Sequence, residues 1–353
     1  CRHSLGGFGN WKAGVFVAKI LEMSLKMKAW NREKHVKKLE IKKMKEEKLL
    51  AELEALKEET TIPKRSAKGV GASPVTVSIA LAASILDNAQ TSELKTYLAG
   101  QIARAATIFC VNEVVIYNDS CVEGTAEQFA EILQYLECPQ YLRKHLFPFS
   151  FHLRFAGLLN PVDAPHHLRK YQDSTYREGI VLDKTNQAKT GSYVDVGLDQ
   201  PVQIDKVLVP GVRVTVEFLH QSSKTVVVSP QKPFMNDGLY WGYTVRLASS
   251  ISSAISESPH KNGYDLIIGT SEKGQHYSDI EFPAFSNAII FFGGLHGLEA
   301  AIECDDQVND KQINELFTYY LNTCPYQGSR TIRTEEAVLI TLSCLQEKMF
   351  SNI

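Results

Sequence analysis

From residue 75 onward the chain alternates between short runs that are apolar throughout and longer stretches that are apolar on one face only. Val75–Ala83 is largely apolar and predicts a strand buried on both sides. Glu93–Phe109 sets Leu94, Leu98, Ile102, Ala105 and Ala106 on one face and predicts a helix. Glu113–Tyr117, with the run Val114-Val115-Ile116, predicts a second buried strand. Thr125–Leu136 carries the stripe Ala126, Phe129, Ile132 and Leu133, a second helix. Strand, helix, strand, helix predicts a parallel sheet with helical crossovers.

The pattern then changes. Between 175 and 235 it predicts short strands only: Tyr176–Leu182, Ser192–Val196, Gln203–Leu208, Val212–Leu219 and Thr225–Ser229. Gly191, Gly197, Pro201, Pro210-Gly211 and Ser222-Ser223 separate them. About five strands in about sixty residues fit a small barrel of the oligonucleotide-binding (OB) type, or equally another small β-module. The α/β pattern resumes with strand Tyr243–Ala248, a short helix Ser249–Ser256, strands Asp265–Gly269, Ala288–Phe292 and Phe317–Leu321, and a last helix Thr334–Lys348. The β-module is thus inserted into an α/β domain. The boundaries read as 73–173 and 237–353 for the α/β body and 174–236 for the insertion. Residues 1–72 form a basic, Lys/Glu-rich arm, helical or disordered.

Charge sharpens that division. The net charge of −2 hides 17 Lys and Arg against 9 Glu in residues 1–70, and 21 against 31 acids in the rest. Residues 22–60 read as a solvated helix, and Leu49, Leu53 and Leu56 are too brief a repeat for a coiled coil. Lys37-Lys38, Lys42-Lys43 and Lys64-Arg65 leave a second reading open, an arm that binds RNA or directs nuclear import. Pro63, Gly69, Gly71 and Pro74 mark a linker over 61–74. Seven dispersed Cys without a C-x-x-C pair argue for a reducing compartment and against a zinc module. No apolar run approaches the ~18 residues of a membrane span, and Gly14–Leu21, broken by Lys19, does not read as a signal peptide.

Three glycine-bearing loops follow strands late in the chain. They are Gly269-Thr270-Ser271-Glu272-Lys273-Gly274, Gly293-Gly294-Leu295-His296-Gly297-Leu298-Glu299, and Cys324–Arg333 with Pro325, Gly328 and Ser329. Gly permits close approach, and exposed N–H groups at a helix start make a polar cradle, so the second and third of these loops point to one small-molecule pocket built of backbone. The second loop has the wrong spacing and position for a dinucleotide fingerprint, which discounts NAD.

Several stretches in joint order resemble the SPOUT superfamily of α/β-knot methyltransferases, and more closely its eukaryotic and archaeal RNA methyltransferase branch with an OB-like insertion. They are Ser84–Gln90, Tyr97–Ala105, Leu158–Pro161, Gly238–Arg246, Gly269–Glu272, Gly293–Glu299 and Cys324–Glu336. The resemblance covers about residues 75–350. It implies a sheet whose last third is tied in a trefoil knot, a homodimer with its sites near the subunit interface, and S-adenosylmethionine held in the knotted loops. Carried onto this chain, the cofactor set is Thr270 and Ser271; Gly293, Gly294, Leu295 and Gly297; and Cys324, Pro325, Gln327, Gly328, Ser329, Ile332 and Arg333. Leu295 and Ile332 would clamp the adenine faces.

Asn88 and Arg104 stand in an Asn…Gly-x-x-x-Arg arrangement that resembles the first motif of one SPOUT branch. The resemblance implies that Arg104 binds the target phosphate or stabilises a developing anion, while Asn88 orients the base. The bland alternative is a helix-face Arg104 paired with a carboxylate. Thr334 reads as an N-cap, with Glu335 and Glu336 suiting the helix dipole. Cys324 is favoured as pocket lining over a covalent nucleophile. His296 with Glu299, and His166-His167, are too few for a metal, and none is expected. Tyr240, Trp241 and Tyr243 either stack a base or belong to the core.

The chain is therefore expected to be an S-adenosylmethionine-dependent RNA methyltransferase, homodimeric and not membrane-bound. Ribosomal RNA is the first expected substrate and N3 of a uridine the first expected atom. The expected location is nuclear, with the nucleolus favoured and a cytoplasmic pool allowed. The alternative is an inactive RNA-binding scaffold in nuclear or mitotic assemblies.

Overall fold

Apolar runs with no polar face can be satisfied only between two layers of helix, and this chain places them so. The computed structural model describes residues 75–350 apart from 120–124, 184–190, 220–223, 306 and 309–312. The expected arm (1–72) and the Ser222-Ser223 turn lie outside the described residues.

The described residues open with β1 (Thr76–Ala82) and a 3-10 turn over Ala83–Asn88. Next are α1 (Ser92–Ile108), β2 (Glu113–Tyr117), α2 (Thr125–Glu137) and α3 (Gln140–Leu146). Five short strands follow: β3 (Tyr176–Val181), β4 (Tyr193–Asp195), β5 (Val202–Gln203), β6 (Arg213–Leu219) and β7 (Lys224–Val228). After them come α4 (Lys232–Asp237), β8 (Thr244–Ala248), α5 (Ile251–Ser256), β9 (Leu266–His276) and β10 (Asn287–Phe292). The chain ends with α6 (Gly297–Glu303), α7 (Ile313–Leu316), β11 (Tyr319–Asn322) and α8 (Thr334–Phe350).

The first sheet runs in the order β11-β9-β10-β1-β2-β8, with every neighbouring pair parallel. Its centre is dry: Ile79, Ala80, Leu81, Val114, Val115, Ile116, Ile289 and Ile290 are fully buried. Thr91 caps α1 by accepting the Leu94 N–H, and Ser250 closes a capping box with Ser253 on α5. The second sheet is antiparallel, β5-β4-β3-β6-β7, and a bridge between Ile204 and Thr225 brings its two edges together. This nearly closed sheet fits the small barrel expected from the strand spacing, and it has its own core of Val181, Val194, Val196, Ile204, Val214 and Val216.

A buried ionic knot joins the barrel to the α/β layers. Glu137, the last residue of α2, receives Arg213 of β6 in a two-pronged contact of 2.6 and 3.0 Å. Arg213 also donates to Glu178 of β3 at 2.7 Å, and Glu178 accepts from Thr215 and from the Trp241 indole. His166 and His167 both reach the Glu137 carbonyl. Gly242 has a φ of 91°, and a Cβ there would sit 2.3 Å from a Glu137 oxygen. Tyr240, Trp241 and Tyr243 therefore belong to this seam: Tyr240 donates to the Val111 carbonyl, Trp241 to Glu178, and buried Tyr243 to the Leu133 carbonyl.

Burial alone would raise the Glu137 carboxyl, but Arg213, aided by His166, pulls it from 4.5 to about 2. A depressed carboxyl stabilises the fold above its unfolded pKa and loses that contribution as pH falls through its folded one. Glu137→Gln should cost about 1–3 kcal/mol at neutral pH, because Arg213 loses one of its two carboxylate partners and keeps Glu178. In calorimetric melts the gap between wild type and variant should hold down to about pH 5 and shrink between 4.5 and about 2. A gap that stays constant across that window would remove the ion pair as its source.

Candidate active site

Because the sheet is parallel, the C-terminal ends of β1, β9, β10 and β11 share one edge, where ligands of open α/β sheets collect. The loops leaving that edge enclose a cleft of about 1230 Å³.

The first loop differs from its expected form. The sequence predicts a strand ending at Gly269, whereas β9 continues to His276. Tyr320 of β11 pairs with Gly269, and its neighbour Leu321 pairs with Gln275, so residues 270–274 bulge from within the strand. Gly274 lets the strands rejoin: a Cβ there would lie 2.4 Å from the Leu321 carbonyl carbon. Thr270 donates to the Phe291 carbonyl at 2.8 Å, and Lys273 bridges to Glu299 of the second loop at 3.2 Å.

In the second loop a Cβ on Gly293 would fall 2.5 Å from the backbone of Gly297 and Leu298. Gly294 faces Ser84 and Asp119 equally closely. Gly297, at φ 80°, then opens α6. The third loop folds on itself: Cys324 N–H donates to the Asn322 amide oxygen, Gln327 to the Ser329 carbonyl, and Ser329 to the Thr331 carbonyl. Thr334 is not the expected N-cap. It is the first residue of α8 and donates to the Gly293 carbonyl at 3.0 Å, tying the third loop to the second. The capping is done by Glu336, whose carboxylate accepts the Arg333 N–H at 3.0 Å.

The opposite wall is Asp87–Gln90, at the end of the 3-10 turn, with Leu94, Tyr97 and Gln101 of α1. Of the expected site residues, the cleft is lined by Asn88, Thr270, Ser271, Gly293, Gly294, Leu295, Gly297, Cys324, Gln327, Ile332 and Arg333. Pro325, Gly328 and Ser329 stay in the third loop away from the lining, and Gly328 faces open space. Arg104 does not line the cleft either. Its guanidinium donates to the Val162 carbonyl at 2.7 Å and more weakly to Pro161, so its partners are carbonyls where a carboxylate was the alternative. Among the described residues no His/Cys/Asp/Glu cluster is placed to hold a metal ion.

The lining also includes Tyr97 and Gln101, which lie in the resembling stretch Tyr97–Ala105 but are given no role by it, and Asn322, Thr323 and Ile340, which the sequence does not single out. Of the last three, only Asn322, a polar residue closing an apolar strand, carried a local signal. Acids dominate the lining: Asp87, Glu272, Glu299, Glu335 and Glu336 against Lys273 and Arg333. Burial would raise the Glu299 carboxyl, but a backbone hydrogen bond and Lys273 hold it below its ordinary range. Behind it, burial and Glu299 push the Tyr320 phenol up to about 12, and its buried oxygen has no hydrogen bond of ordinary geometry. The arrangement suits a small molecule held by backbone groups and carrying positive charge.

Residues 76–345 match the pattern of a protein family described as "Putative RNA methyltransferase". The chain is 52% identical to the mouse 28S rRNA (uridine-N(3))-methyltransferase over 294 residues, 77% of this chain and 76% of that protein. The human enzyme of the same name is also 52% identical over 294 residues, 77% and 78% of the two chains. The Drosophila melanogaster enzyme of that name is 44% identical over 356 aligned positions, 91% of this chain and 73% of the relative.

The glycine contacts give a paired test. Gly274→Ala should destabilise by about 1–3 kcal/mol through its clash with β11, and Gly328→Ala by less than about 0.5 kcal/mol. Thermal melts of the two variants decide it, and equal shifts would mean the bulge does not depend on the close approach at Gly274.

Proposed function

The chain belongs to the RNA methyltransferase family whose pattern spans residues 76–345, a branch of the SPOUT superfamily, and on that premise we propose that it methylates N3 of a uridine in large-subunit ribosomal RNA. The observation that carries this reading is the convergence of three backbone-built loops on one acid-lined cleft. S-adenosylmethionine, when bound, supplies an electrophilic methyl group on a sulfonium. The cleft fits it in three respects: the glycines leave cradles that a Cβ would fill, the excess of carboxylates favours a cation, and Leu295 and Ile332 offer apolar faces for an adenine. Thr270, Ser271, Gly293, Gly294, Leu295, Gly297, Cys324, Gln327, Ile332 and Arg333 would hold it, with Pro325, Gly328 and Ser329 shaping the third loop.

Uridine N3 carries a proton in the neutral base, so the site must stabilise the anion that its loss creates. Asn88, at the cleft rim, orients the base. Arg104 is assigned to the acceptor through a homodimer. It lies on a stripe of α1, Leu94, Tyr97, Gln101, Arg104 and Ile108, spaced like a packing seam, and Leu94, Tyr97 and Ile108 are about half exposed. Two such stripes packed together would bring Arg104 towards the partner's cleft. The trefoil knot is part of the same proposal; the hydrogen bond from Thr334 to Gly293 supports it, because it holds α8 against the second loop. We assign 73–173 and 237–353 to the catalytic domain and 174–236 to an OB-like insertion. A nuclear, and within it nucleolar, location follows from a ribosomal substrate.

Nucleoside mass spectrometry of ribosomal RNA from cells lacking the protein tests the reaction. N3-methyluridine should fall in the null, return with wild type and stay low with Ile332→Trp, which places an indole in the cleft. An unchanged profile would favour the scaffold reading. Arg104→Ala should lower kcat for methyl transfer by about a hundredfold or more and leave S-adenosylhomocysteine affinity within about twofold. Full turnover in that variant would end the role assigned to Arg104.

A further inference from the structure

An acid-lined cleft in a body with 21 basic and 31 acidic residues beyond position 70 is a poor grip for a polyanion. One segment inverts that balance. Residues 140–172 hold five Lys and Arg against one Asp, and they interleave aromatics. Within it the chain alternates in direction after Pro148. Ser150 and His152 both turn inward and bond the Glu131 carboxylate of α2, each at 2.8 Å. Phe149 and Phe151, the residues between and before them, turn outward and are 98% and 68% exposed. Arg154 lies over the Phe151 ring at 3.8 Å and beside the Phe155 ring at 4.7 Å. It forms no ion pair among the described residues.

The segment adjoins the cleft wall. Arg154 donates to the Ser92 hydroxyl at 2.6 Å, and Ser92 lies between Gln90 and Leu94, both of which line the cleft. Leu159 packs on Gly100 of α1, where a Cβ would meet it at 3.0 Å.

We infer that Phe149, Phe151 and Arg154 form a stacking platform for a single-stranded stretch of the substrate RNA flanking the target base. The inference rests on the RNA methyltransferase reading. Exposed rings bind bases by their faces without regard to sequence, and a guanidinium adds a phosphate contact. Anchoring at Glu131 holds the rings outward before RNA arrives, which lowers the ordering cost of binding. Charge complementarity favours RNA over a second copy of this chain, because a two-fold contact at this patch would set the basic segment against its own copy.

The test uses the full chain and a fluorescent, uridine-rich single-stranded RNA, with duplex RNA and S-adenosylhomocysteine as controls. Phe149→Ala/Phe151→Ala should weaken single-strand binding about tenfold or more, and duplex and S-adenosylhomocysteine binding should stay within about twofold of wild type. Phe149→Trp/Phe151→Trp should restore it. Arg154→Gln should reduce the slope of log affinity against log salt by about 0.7. Unchanged single-strand affinity in the double Ala variant overturns the platform. A shift in sedimentation from dimer to monomer with RNA affinity unchanged also overturns it and makes the patch an interface between copies. Methyl transfer is scored separately: its absence in wild type removes the enzyme reading, and the binding series still judges the platform.

Discussion

Parallel pairing is the constraint on which everything else in this molecule depends. A parallel strand must be re-entered from the same end, so each connection crosses the sheet and every strand finishes on one edge. That puts the 3-10 turn after β1, the Gly293–Gly297 loop after β10 and the Cys324–Arg333 loop after β11 within reach of one another. Strands β9 and β11 are neighbours in the sheet and distant in sequence, so the bulge at 270–274 meets the third loop through strand pairing alone. Close approach then has to be permitted residue by residue. Gly274, Gly293 and Gly294 each stand where a Cβ would fall well inside contact distance. The glycines are therefore a consequence of packing loops against loops, and the backbone-lined cleft is what that packing leaves open.

Most of the architecture was legible because buried parallel strands and amphipathic helices have strong, local patterns. Val114-Val115-Ile116 and the α2 stripe are examples. What escaped was settled by partners far along the chain. The run after Gly269 contains Thr270, Ser271, Glu272 and Lys273, which read as a loop. It stays in the strand because β11 resumes pairing at Gln275, a fact with no local signature. Thr334 had the chemistry of an N-cap, but the Gly293 carbonyl claimed its hydroxyl while Glu336 took over the cap. Tyr240, Trp241 and Tyr243 could be read as a stacking surface until Glu178 and the Val111 and Leu133 carbonyls proved to be their partners. The platform segment had a signal that local pattern-reading passed over: a basic, aromatic stretch in an acidic body, masked by the excess of Lys in residues 1–70.

Electrostatics divides the labour. A cleft lined by five carboxylates and two cations stabilises a positively charged small molecule and repels phosphate. The same field serves binding more than it serves reaction. It holds a cationic donor in place, but it opposes any anion that forms on an acceptor beside it. That opposition is what the role proposed for Arg104, on a helical stripe outside the cleft, would have to offset.

The ionic knot at Glu137 determines how the barrel sits on the α/β layers. Arg213 and Glu178 belong to the barrel, while Glu137, His166 and Trp241 belong to the α/β layers and their connections. Hydrogen-bonded charges held at 2.6–3.0 Å define an angle as well as an energy, since the fork of Arg213 accepts one orientation of Glu137. A barrel held by apolar contact alone could slide across its seat. A barrel held by this fork cannot turn without leaving a buried charge unpaired, a cost of about 3–5 kcal/mol. The barrel is thereby seated at one orientation to the α/β layers, so anything held on it would lie at a set distance from the cleft.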